Sequence, residues 1–230
     1  MRTTLVILCL SFASPLLAQV GKNENVLNPN LATKEQLLKL PHMTEGIVET
    51  ITYCRPFLGM DKLDSILAKS LDRKQREKLY VQMFIPINLN TAKKEEIQLV
   101  PGMGKKMLHE FEEYRPYKKI AVFRREMGKY VDDAEVARFE QYVFVPLDLN
   151  QATNEEFKTI PGVGKKMVRE FLEYRPYLSI EQFRREIGKY VDKSEVSRLE
   201  RYVFVTEEKK LEKPAKPKQP KAPKGADLKP

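Results

Sequence analysis

The chain has 230 residues, 42% of them apolar and 32% charged, with a formal net charge of +9. It is long enough to bury apolar cores, and so high a charged fraction favours several small cores over one large one. Two cysteines and two histidines in the whole chain exclude a disulfide-stapled scaffold, and no residue argues for a transition-metal centre.

At the start, Met1 and Arg2 precede a mostly apolar run over residues 5–17, and Ala18 stands before Gln19. This is the outline of a secretory signal peptide, residues 1–18, cut after Ala18, because the run is shorter than the ~20 apolar residues of a membrane span. The expected location is therefore periplasmic or secreted. Leu8 occupies a position ahead of Cys9 where a lipoprotein would carry a small residue, so lipidation is not expected. Removal of the signal leaves Cys54 as the sole cysteine, on an apolar stripe, where burial is the expectation.

The rest of the chain is repetitive. Pro41, Pro101 and Pro161 are spaced 60 apart, as are the pairs Arg55-Pro56, Arg115-Pro116 and Arg175-Pro176. Three tandem modules follow, at residues 27–86, 87–146 and 147–205. The second and third share 36 of 59 positions without a gap between residues 87–145 and 147–205. Each reads as four short helices, which makes the fold class all-α. In module 2 the apolar spacing predicts helices over 91–100, 105–114, 120–127 and 133–142, with Asn90-Thr91-Ala92 at the capped start of the first and Asp132 capping the last. Val143-Phe144-Val145-Pro146 reads as an extended connector too short to be a flexible linker, so the modules should touch in a semi-rigid array.

Within modules 2 and 3 the first two helices are separated by Pro101-Gly102-Met103-Gly104-Lys105-Lys106 and Pro161-Gly162-Val163-Gly164-Lys165-Lys166. Proline lacks the amide donor and the glycines favour positive φ, so the chain reverses there. The following helix begins with unpaired N–H groups and the positive end of its dipole, an arrangement that suits phosphate. This pattern resembles the helix-hairpin-helix motif. The wider order Leu89-Asn90, Ala92, Glu95-Glu96, the turn, Tyr114-Arg115-Pro116-Tyr117 and the closing Val143-Phe144-Val145 resembles the extracytoplasmic ComEA-type DNA-uptake proteins.

That resemblance implies tandem helix-hairpin-helix modules that hold double-stranded DNA by its backbone, independent of sequence and from the minor-groove side. The phosphate-binding residues it implies are Gly102, Met103, Gly104, Lys105 and Lys106, with Gly162, Val163, Gly164, Lys165 and Lys166. No cofactor is implied beyond a weak monovalent cation that such turns hold through backbone carbonyls in some relatives. In module 1 the turn reads Pro41-His42-Met43-Thr44-Glu45-Gly46; both glycines are replaced and the anion cradle is expected to be lost. His42 is expected to be an exposed turn residue. Gly128-Lys129-Tyr130-Val131 is expected to be a packing turn, and Tyr114, Tyr117, Tyr174 and Tyr177 to pack the Arg-Pro corner.

Charge qualifies the picture. Modules 2 and 3 each set 11 basic residues against 10 acids, and module 1 carries a net +2, so the modules attract a polyanion only locally. Arg124-Arg125 and Arg184-Arg185, next to Glu126 and Glu186, read as solvated surface. Residues 206–230 hold eight Lys, five Pro and four acids, the composition of a disordered basic tail that contacts polyanions or serves as a spacer. No nucleophile and base stand at a recognisable spacing, so no catalysis is expected. The competing expectation is an envelope scaffold that uses the same fold for protein contacts, as in photosystem extrinsic proteins.

Overall fold

A computed structural model describes residues 26–206. The signal-peptide reading, and the tail beyond Thr206, lie outside the described residues. The described chain is all-α, with twelve helices and four strands of two residues each. The helices fall into three sets of four. The first is α1 (Lys34–Leu38), α2 (Glu45–Tyr53), α3 (Met60–Leu67) and α4 (Arg73–Tyr80); β1 (Ile87–Asn88) opens the second, with α5 (Lys94–Ile97), α6 (Lys105–Glu113), α7 (Ile120–Met127), α8 (Asp133–Glu140) and β2 (Val143–Phe144). The third is β3 (Leu147–Asp148), α9 (Asn154–Phe157), α10 (Lys165–Glu173), α11 (Ile180–Ile187), α12 (Lys193–Glu200) and β4 (Val203–Phe204).

Helix α7 has the expected bounds, and Asp132 caps α8 by accepting the Glu135 N–H at 2.8 Å. The first helix of the second set is far shorter than 91–100. Asn90 does not cap it: the Asn90 side chain reaches across to the Arg-Pro corner, donating to the Tyr117 carbonyl at 2.9 Å and accepting the Tyr117 N–H at 2.7 Å. Asn30 grips Phe57 and Asn150 grips Tyr177 in the same two-bond way. Beyond Gln98 the amides of Leu99 and Val100 turn to carbonyls three residues back, tightening the chain into the turn. The fourth helix likewise stops at Glu140, because Val143 is drawn into a strand.

That strand is extended, as expected of the connector, and it has a pairing partner that the sequence reading does not supply. Val143-Phe144 pairs in parallel with Ile87-Asn88, Val203-Phe204 pairs with Leu147-Asp148, and a single bridge joins Leu27 to Met83. Each set is thus closed by its two ends meeting, which satisfies backbone groups a loose linker would leave exposed. The sets touch, as expected. Phe84 meets Tyr142 edge-on at 5.1 Å, and Phe144 meets Tyr202 at 4.5 Å. The third set also reaches the first, since Arg201 Nη2 donates to the Pro86 carbonyl at 2.9 Å.

Candidate nucleic-acid interface

The two glycines of each turn play unlike parts. Gly102 and Gly162 have φ of 75° and 79°, the left-handed conformation that favours glycine. Gly104 and Gly164 do not share it: at φ −83° and −92° they are extended N-caps of α6 and α10. Neither supplies a side-chain cap, so the amides of Lys105, Lys106 and Met107, and of Lys165, Lys166 and Met167, have no intrahelical acceptor. A Cβ built on Gly104 or Gly164 would meet nothing within 4 Å. Packing does not demand glycine there; its absence of a side chain leaves an open approach to those amides.

Gly102, Gly104, Lys105, Lys106, Gly162, Gly164, Lys165 and Lys166 are all exposed, so both bends face solvent. Met103 is half-buried and Val163 buried, which limits these two to backbone contacts. The bends differ in their surroundings. Hairpin 162–166 borders a cleft shared with Val26, Leu27, Leu31 and Gln36 of the first set, and Leu31 lies within 3.1 Å of where a Gly162 Cβ would stand.

An arginine lies under each turn. Arg138 Nη1 donates to the Pro101 carbonyl at 2.6 Å while its other nitrogens fork onto Glu135 at 2.6 and 2.7 Å. Arg198 repeats this with Pro161 at 2.6 Å and with Glu195. Arg138 Nη2 comes within 2.7 Å of where a Gly102 Cβ would be, a second reason for glycine there. The Arg138 hydrogen bond holds Glu135 below the ordinary carboxylate value of 4.5. These arginines escape a reading by motif; their signal is that both modules keeping the glycines have Arg where module 1 has Lys78. One turn carbonyl in each hairpin, of the kind a monovalent cation would use, is thereby engaged by a guanidinium.

In the first set His42 occupies the left-handed position itself, at φ 63°, so the bend survives without glycine. What changes is the cap. Thr44 accepts the Ile47 N–H at 3.4 Å and fills the amide site that Gly104 and Gly164 leave open.

Tyr117 and Tyr177 are buried at the corner, and burial pushes their hydroxyls well above the usual phenol range. Gly128 ends α7 in an ordinary helical conformation, and the Lys129 that follows pairs with Glu126. Arg124 is not freely solvated, since it forks onto Glu140 of α8, and Glu126 is buried rather than a surface acid. Cys54 is half-buried, not buried. Among the described residues no group of three or more His, Cys, Asp or Glu could hold a metal ion, and no helix is long and apolar enough to cross a membrane. Comparison with protein-family models, with curated proteins and with solved structures finds no match to this chain.

Proposed function

We propose that the chain is an exported, non-catalytic protein that holds double-stranded DNA by its phosphate backbone, independent of sequence, at the turns 102–106 and 162–166. The observation that carries this reading is the pair of exposed, uncapped helix starts, each behind a glycine with empty space where a side chain would be and each followed by two lysines. Amides with no acceptor attract an anion, side-chain-free backbone admits a bulky polymer, and lysine ammoniums neutralise charge without reading bases. Uptake of external DNA is the setting the family resemblance implies, and the Lys/Pro-rich tail adds a second, looser contact.

Gly104→Val combined with Gly164→Val tests the reading, because neither site has a neighbour to clash with. Mobility-shift titration should show duplex binding abolished while far-ultraviolet circular dichroism is unchanged. Unchanged retardation would remove the turns from the account. With about two phosphates held per turn, the slope of log affinity against log salt should be about −4.

A second reading, an envelope scaffold, draws on the surface of the first set. Leu31, Leu38, Tyr53, Leu58 and Val81 are exposed there, and Leu31, Leu38, Tyr53 and Val81 correspond to polar residues in both other modules. Such apolar exposure suits contact with another envelope protein. Capture of a protein partner that depends on Tyr53, with no duplex retardation even at low salt, would select it.

A further inference from the structure

Four side chains assemble beside the hairpin 102–106, on the flank of α6. Tyr114 and Tyr130 join their hydroxyls at 2.8 Å, Lys106 Nζ lies 5.1 Å from the centre of the Tyr130 ring, and Glu110, one turn after Lys106, is only 7% exposed. Lys129 lies over the Tyr114 ring, also at 5.1 Å, while paired with Glu126. The hydrogen bond to Tyr114, and then the neighbouring Glu110 carboxylate, raise the Tyr130 hydroxyl above the usual phenol range. Module 3 has the same residues, Lys166, Glu170, Tyr174 and Tyr190, with the tyrosine hydroxyls 2.9 Å apart.

Module 1 serves as an internal control. The four corresponding positions are Gly46, Thr50, Cys54 and Ser70. All four members are missing together, in the one module that lacks the turn glycines, and the four helices of that module form without them. Module 1 thus folds without the cluster, which is present in the two modules that have the open turn. Resting on the phosphate-binding reading above, we infer that Tyr130 is a positioning residue, holding Lys106 over its ring so that the ammonium is already ordered on the flank of α6 when a phosphodiester arrives at the turn. A lysine surrenders more rotamer freedom than most side chains when fixed, so holding it beforehand strengthens binding without a new contact. Lys166 makes no matching contact with Tyr190 among the described residues, so the two hairpins should respond differently.

The experiment is a double-mutant cycle on the full chain, titrating a blunt duplex over a range of salt concentrations. Lys106→Ala and Tyr130→Leu should each weaken binding about threefold and flatten the salt slope by up to about 0.9, the effect of one phosphate contact. Together they should do no more than either alone. Tyr130→Phe, which keeps the ring, should retain wild-type affinity, and Tyr190→Leu should leave it unchanged. Additive losses, or equal losses from Tyr130→Leu and Tyr190→Leu, would overturn the positioning role while leaving the hairpin reading intact. No effect of Lys106→Ala on affinity or slope would instead strike the hairpin reading at this turn, and the positioning role with it.

Discussion

Gly102 and Gly104 stand two residues apart and should respond oppositely to substitution. Any side chain at position 102 must adopt φ near 75° and displace the Arg138 guanidinium, so Gly102→Ala should cost about 1–3 kcal/mol in urea unfolding. At position 104 the backbone is ordinary and the space empty, so Gly104→Ser should leave stability level or raise it by a few tenths of a kcal/mol. The cost should appear in DNA affinity, because the serine hydroxyl takes an amide a phosphate would use. The sequence announces both glycines but not their division of labour. Side-chain freedom and positive φ look alike in a one-letter code, and His42 shows that even the left-handed site can be filled by another residue.

At the level of the element, each hairpin is pinned from below by an arginine on the fourth helix of its set. Arg198 is 2% exposed and Arg138 less enclosed. Arg198→Ala strands the Pro161 carbonyl and the Glu195 carboxylate together and should destabilise by about 2–3 kcal/mol in denaturant unfolding, more than Arg138→Ala. The partner acid gives a pH signature. Because folding lowers the Glu135 pKa beneath 4.5, its contribution is present above that value and lost as pH falls through the lower folded value. Thermal melts of Glu135→Gln should therefore lie below wild type near pH ~7 and converge with it as the pH falls through the lowered folded value. Helix bounds are legible at α7 from its apolar stripe alone, Lys119 offering no side-chain cap, and at the start of α8 from Asp132, but not at the end of α8. They were overextended at α5, because Asn90 has the composition of a cap yet is recruited by a corner 27 residues away. Local propensity carries no trace of such a partner.

Across the whole molecule, the repeat length and the closing Val-Phe pairs could be read from the chain, but which faces meet could not. The closing phenylalanine of one set packs on a tyrosine of the next, as Phe84 does on Tyr142 and Phe144 on Tyr202. Phe204 ends the series and is 44% exposed. Identical residues at identical repeat positions should thus differ sharply in weight: Phe144→Ala should cost about 3–5 kcal/mol and Phe204→Ala well under 1 kcal/mol in chemical denaturation. A near-neutral array held in this way brings little long-range charge to DNA, so the account rests on its two open helix starts. Module 1 supplies the most direct test, since Thr44 already closes the equivalent start there. Transplanting that threonine as Gly104→Thr with Gly164→Thr, and following a labelled duplex by fluorescence anisotropy, should lower affinity at least about tenfold while the melting temperature holds or rises. Wild-type affinity in that variant would contradict the account, because the amides it names would then have no part in binding.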